Sequence, residues 1–367
     1  MADVKSISWA ILPNNAPSFL LDWELTLKCN LDCSYCLEGP NGYHDRKGKH
    51  PPVTECLDTL DFMYQYVDRY MMQKKPNQRK VVLNVYGGEA LFHPDIIEVL
   101  EAAKTKHEHY RDRWHLTITT TTNGIINKSI WQKIIPLIDE FTISYHAETL
   151  PKQEKLFYDN LLEAHQSDSR VKCVVMMHDT LWENSMACVE FCKEHGINYI
   201  AKPFDNIDRS YSEEQFQYFK EQWGVESPTN GQTVSICNGR ACCGGRTMSL
   251  NNDLKSRVNY IPKQNFEGWS CSVNWFFLHV KQSTGEIFFN KDCRMTLENT
   301  VGPIGHLRDT AQVLETLDSQ LSTKMPTITC AKKLCLCGIC APKAADKDDY
   351  KDLLARTLTD VNILEIK

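Results

Sequence analysis

An α/β fold is expected for this 367-residue chain. It begins with a partial (β/α)6 barrel over positions 23–228 and continues as a small Cys-rich α+β domain over 229–343. Three observations lead there. Six short β-rich runs alternate with stretches of helical period between Trp23 and about Trp223. The runs stand roughly 25 to 60 residues apart, which leaves room for a right-handed crossover helix between parallel strands. Beyond about residue 225 this rhythm stops, Gly, Asn and Cys become frequent, and nine of the 16 cysteines fall there, so a boundary is placed at 225–235.

The strand-like runs are Trp23–Lys28, Val81–Tyr86, Leu116–Thr122, Glu140–Ser144, Val171–Met177 and Asn198–Pro203. Each is rich in β-branched or aromatic residues. Helical spacing marks Val53–Tyr70, Pro94–Lys106, Ser129–Ile135, Gln153–Gln166, Leu181–His195 and Ser212–Trp223. Positions 1–22 read as an N-terminal extension and 344–367 as a polar terminal helix, strongest over Ala344–Ile363. In such a barrel ligands sit at the C-terminal ends of the strands. Motifs just after each run therefore matter most.

Composition narrows the function. The net charge of −6 gives no global basic field for nucleic acid, and local lysines such as Lys332, Lys333, Lys343 and Lys347 suit a solvated surface. No apolar run reaches the length of a membrane span, and Met1-Ala2-Asp3-Val4-Lys5 does not read as an export signal. The thiols are therefore expected in a reducing, cytoplasmic setting, as metal ligands rather than disulfides.

The most informative feature follows the first strand. Cys29, Cys33 and Cys36 spell C-x3-C-x2-C within eight residues. Thiolates select iron–sulfur or zinc. A structural site wants a fourth thiolate nearby, and the next is Cys56, past a Gly/Pro-rich loop. Three thiolates on a cube of four irons leave one iron open for chemistry.

This motif, with Tyr35 before its third cysteine, resembles the radical S-adenosylmethionine (radical SAM) enzymes. The resemblance implies that Cys29, Cys33 and Cys36 hold a [4Fe–4S] cluster whose open iron chelates S-adenosylmethionine. One electron then cleaves the sulfonium to methionine and a 5′-deoxyadenosyl radical, which abstracts a substrate hydrogen. It also implies the partial barrel and an electron donor such as flavodoxin or ferredoxin.

Further motifs fall at strand ends. Tyr86-Gly87-Gly88-Glu89 is a weak turn signal alone, but its glycines permit close backbone approach. The resemblance places Tyr35 among the cofactor-binding residues and gives Gly87, Gly88 and Glu89 the methionyl ammonium. Thr122-Asn123-Gly124 reads equally as a turn and, by resemblance, places Thr122 and Asn123 near the cofactor. Ser144 matches a ribose-binding position, while His146 and Glu148 could face substrate. Lys202-Pro203 would approach the adenine, although no G-x-I-x-G-x-x-E element is recognisable near the fifth strand.

In the second half, Cys271 precedes an apolar run, a Thr284-Gly285-Glu286 turn, a second apolar run and Cys293, which reads as a β-hairpin. Cys330-x4-Cys335-x-Cys337-Gly338-x-Cys340 then packs four thiols into eleven residues. This layout resembles SPASM and twitch extensions, which hold auxiliary [4Fe–4S] centres, though its spacings depart from theirs. Six thiols serve one four-ligand cluster with two left over, or two clusters with an open iron; zinc at Cys330–Cys340 is the alternative. Cys237, Cys242 and Cys243 are further ligand or channel candidates, and Cys56, Cys173, Cys188 and Cys192 read as buried core.

The resulting expectation is radical modification of a peptide or protein side chain. Only about 20 residues precede the first strand, so a separate partner would present the peptide. The alternatives are radical modification of a nucleoside, nucleotide, base or other small metabolite, and a non-catalytic iron–sulfur or zinc scaffold.

Overall fold

A computed structural model describes residues 6–7, 19–36, 49–73, 76, 79–203, 211–223, 236–237, 240–241, 267–290, 293, 295–296, 299–323, 327–331 and 343–345. Strand β1 (Ser6–Ile7) precedes β2 (Phe19–Thr26). Then follow α1 (Val53–Met71), β3 (Lys80–Gly87), α2 (Ile96–His107), β4 (His115–Thr122), α3 (Lys128–Ile134), β5 (Glu140–His146) and α4 (Pro151–His165). The series closes with β6 (Arg170–Met177), α5 (Trp182–Glu194), β7 (Asn198–Pro203) and α6 (Glu213–Trp223). Strands β2 to β7 pair in sequence order, every pair parallel. This is the alternating α/β sheet of the expected partial barrel.

Period-two patterning explains the faces. Leu21, Trp23 and Leu25, Val81, Leu83 and Val85, and Phe141, Ile143 and Tyr145 are buried against the helices. Alternate positions such as Asp22, Asn84, Thr142 and Ser144 are half-buried and polar. Asn84 donates to Asp22 Oδ1 at 2.7 Å and accepts from Thr119 Oγ1 at 3.2 Å, across three strands of the inner face. Helix α1 brings Tyr64, Tyr66 and Tyr70 into the outer layer, and Trp23 lies in the same core. A fully buried aromatic contributes about 1.5–3 kcal/mol. Strand β2 begins four residues before the expected Trp23, because Phe19 and Leu21 extend the buried alternation into the expected N-terminal extension.

Beyond the barrel lie β8 (Ile236–Cys237), β9 (Arg240–Ala241), β10 (Ser270–Cys271), β11 (Phe277–Lys281), β12 (Glu286–Phe288) and β13 (Gly305–His306). They are followed by α7 (Thr310–Thr323), β14 (Ile328–Thr329) and β15 (Lys343–Ala344). The expected hairpin is β11–β12, antiparallel, turning at Gly285, whose φ of 72° suits glycine. Strand β11 pairs parallel with β2, so the hairpin continues the barrel sheet at its first strand. Trp23 Nε1 donates to Gln282 Oε1 at 3.0 Å and fixes that junction. Strand β10 lies between β14 and β15 in a separate small sheet. Ala344, where the terminal helix was expected to begin, is in β15, and positions 346–367 lie outside the described residues. Among the described residues no helix is long and apolar enough to cross a membrane.

Candidate functional site

The three-cysteine loop leaves β2 at the C-terminal edge of the sheet, and four neighbouring strand ends hold it. From β3, Gly88 N donates to Thr26 O at 2.8 Å and Glu89 N to Lys28 O at 2.7 Å. A Cβ on Gly87 would stand 2.0 Å from Thr26 O, and one on Gly88 2.4 Å from Leu27 O. The close approach these glycines permit is thus to the backbone of the cysteine loop itself.

From β4, Asn123 Nδ2 donates to Asn30 Oδ1 at 2.7 Å and reaches Cys29 Sγ at 3.7 Å, while Asn30 donates to Ile125 O at 2.7 Å. Glu89 ties the β3 and β4 ends together. It accepts from Leu91 N at 3.0 Å, Thr122 Oγ1 at 2.9 Å and Asn123 N at 2.6 Å. A carboxylate has about four acceptor positions, so one is left for a further donor. Burial pushes the Glu89 acid up to about 7, against the pull of the Asn123, Thr122 and Leu91 donors. Gly124 turns the chain at φ 70°, which a side chain rarely adopts.

The second half of the loop is clasped from β5 and β6. Glu148 accepts from Ser34 N at 2.6 Å and from the Ser34 hydroxyl, and His178 Nε2 stands 3.0 Å from Glu148 Oε1. Burial would raise the Glu148 acid, but the Ser34 donors and His178 outweigh it, so the net shift is downward. Tyr35 Oη lies 2.6 Å from His146 Nδ1, with the rings stacked at 5.8 Å. His146 and Glu148, which could face substrate, both touch the loop.

Cys29, Cys33 and Cys36 are half-buried thiols. Burial pushes Cys29 up to about 11 and Cys33 up to about 12, and each also feels its neighbours in the loop. All three are soft donors, none is in a disulfide, and they share one strand-end loop. That donor set fits an iron–sulfur cluster with one open iron. Ser144 lies two residues before His146 on the half-buried inner face of β5.

The expected C-terminal ligands are only partly visible. Cys271 on β10 is registered with Ile328 on β14, two residues before Cys330, and Cys293 is buried in a bridge with Asn290. Cys335, Cys337 and Cys340 lie outside the described residues, as do Cys242, Cys243 and the side chain of Cys237.

Sequence reasoning missed Asn30 and His178. Both act through contacts distant along the chain, and only the position of His178 one residue past β6 hinted at a role. It also missed His279 on β11. This buried histidine has Nδ1 3.3 Å from Asp22 Oδ2 and 3.4 Å from Tyr86 Oη, and its Nε2 has no partner among the described residues.

No family model matches the chain, and no curated protein does. Among solved structures, Streptococcus suis SuiB bound to S-adenosylmethionine is 15% identical with a TM-score of 0.44, over 76% of this chain and 61% of that one. This chain thus spans about three-fifths of the length of SuiB. Native anSMEcpe with bound AdoMet and Cp18Cys peptide is 14% identical with a TM-score of 0.46, over 80% and 79% of the two chains. Both are radical SAM enzymes. At these identities and TM-scores the likeness says nothing of chemistry, which rests on this chain's own residues.

Proposed function

We propose that this protein is a radical SAM enzyme that modifies a peptide or protein side chain. The observation that supports it most is the convergence of four strand ends on one three-cysteine loop. The segments after β3, β4, β5 and β6 are separated by tens of residues, yet they meet there through the bonds of Gly88, Glu89, Asn123 and Tyr35 and the contact of His178 with Glu148. A structural knuckle needs no such assembly; a reacting cofactor that must be held on several sides does.

In this reading Cys29, Cys33 and Cys36 ligate a [4Fe–4S] cluster. When bound, that cluster and S-adenosylmethionine supply a 5′-deoxyadenosyl radical by one-electron cleavage of the sulfonium. Glu89 keeps its remaining acceptor position for the methionyl ammonium, beside the carbonyls of Gly87 and Gly88. Asn123 orients Cys29 and the turn, Tyr35 and Glu148 fix the outer rim, and Ser144 serves the ribose. An external flavodoxin or ferredoxin would supply the electron in a reducing cytoplasm.

The Cys271–Cys293 hairpin and the thiols from Cys330 to Cys340 support auxiliary iron–sulfur binding. They also favour a peptide substrate, because extensions of this layout are commonest in peptide maturases. The test is anaerobic reconstitution with iron and sulfide, followed by reduction in the presence of S-adenosylmethionine. The parent protein is expected to form 5′-deoxyadenosine and to hold more than four irons per chain, with the surplus lost when Cys335, Cys337 and Cys340 become Ala. A parent that forms no 5′-deoxyadenosine would overturn the enzymatic reading, and four irons plus one zinc would overturn the auxiliary cluster.

A further inference from the structure

The tightest gathering of thiols among the described residues is not in the loop. Cys173 on β6 and Cys188 and Cys192 on α5 are wholly buried, and their three sulfurs all lie within 4.8 Å of one another. Strand β6 alternates, so Cys173 shares the helix-facing side with Val175 and Met177 and points away from the inner face. Cys188 and Cys192 are one helical turn apart and meet it from the facing helix. Packing explains one small side chain at each place, as Val175 and Val189 show nearby. It does not explain why all three carry sulfur and converge.

We propose that Cys173, Cys188 and Cys192 form a second, closed metal site that takes one soft d10 cation, monovalent copper by preference, in three-coordinate geometry. Metal–thiolate bonds of about 2.3 Å around a central ion place the sulfurs about 4.0 Å apart, so the cluster needs only a small contraction. Thiolates select soft cations. Zinc almost always takes four ligands, and among the described residues no fourth Cys, His, Asp or Glu joins the three. All three side chains are wholly buried.

The surroundings agree. Binding would displace the thiol protons to buffer. Tyr145 and Tyr158, stacked at 6.1 Å, lie beside the group. The ion would pin α5 to β6 on the side of the sheet away from the reacting centre, so this site is independent of the proposed enzymatic activity.

The test uses the full chain, reconstituted anaerobically with iron and sulfide and then equilibrated with Cu(I) against a competing chelator. The parent is expected to retain one more copper than Cys188→Ala/Cys192→Ala, while Cys56→Ala, which removes a buried thiol elsewhere, matches the parent. Cys192→Ser, nearly the same size, should retain copper about tenfold more weakly or worse, since even an outer-shell change can bring that loss. X-ray absorption on the extra copper should show three sulfurs at about 2.3 Å, a readout that holds even if a variant misfolds. Equal retention by the parent and folded variants, nitrogen, oxygen or only two sulfurs around the extra copper, or zinc held with four ligands in its place would overturn the proposal.

Discussion

Cys29, Cys33 and Cys36 lie half-buried on a loop whose shape other strand ends impose, whereas Cys173, Cys188 and Cys192 are buried within one strand–helix unit. The loop sulfurs do not all lie within 4.8 Å of one another; the core sulfurs do. A cube binds each thiolate through a different iron and needs the sulfurs spread, with one side open to a ligand. A single ion draws its ligands close and gains from closure. Loop placement and access thus distinguish a reacting centre from a packed one, though both consist of the same three side chains.

Two sets of variants give the largest contrast. Changing Cys29, Cys33 and Cys36 together to Ala should reduce 5′-deoxyadenosine formation to background while leaving thermal stability nearly unchanged, as expected for loop positions. Cys188→Ala should do the reverse, costing about 1 kcal/mol of stability for a buried group while keeping that formation per folded molecule. Equal behaviour of the two in both assays would break the comparison.

Gly88→Ala tests whether the β3 tip shapes the loop. The added Cβ would stand 2.4 Å from Leu27 O and 2.5 Å from Lys28 O, both backbone atoms. A cost of about 1–3 kcal/mol, together with poorer cluster retention in reconstitution, is expected in thermal unfolding and iron assays. An unaffected variant would show that the loop is shaped without β3.

Glu89 offers a pH test. Its acid is held up to about 7 in the fold, above its ordinary value of 4.5. Below pH 7 it must give up a proton before it can face an ammonium, so S-adenosylmethionine affinity should fall about tenfold per unit from pH 7 towards 5. By the same sign, stability from this group is full below 4.5 and is lost as pH rises through 7. Calorimetric titrations should show the fall in the parent and a flat, weaker profile in Glu89→Gln. A pH-independent parent would remove Glu89 from the ligand.

The smallest effect concerns the outer rim. Glu148→Gln weakens the charge-assisted bonds from Ser34 and the contact with His178. A cost of about 1 kcal/mol is expected in denaturant unfolding, with faster cluster loss in air than in the parent. Unchanged cluster lifetime would show that the clasp is incidental.

Much of the barrel was legible because local patterns dictate it. Strand β7 spans the expected Asn198–Pro203, since Tyr-Ile-Ala suits a buried strand bounded by Asn and Pro. The start of β2 was misplaced, because Phe19 and Leu21 extend the buried pattern through a stretch also holding Asp22. Within the site, C-x3-C-x2-C and Gly-Gly-Glu were legible as motifs. The roles of Asn30 and His178 were not, since each depends on which strands become neighbours. In the core trio, the one-turn spacing of Cys188 and Cys192 was visible, but Cys173 joins them only through packing of α5 on β6.

The most direct test of the loop assignment is electron paramagnetic resonance of the anaerobically reconstituted, dithionite-reduced protein, with and without S-adenosylmethionine. A [4Fe–4S]+ component whose line shape changes when S-adenosylmethionine is added, and which is missing from the Cys29/Cys33/Cys36 triple Ala variant, is the expected result. Spectra that ignore S-adenosylmethionine, or a responsive component that survives in the triple variant, would contradict it.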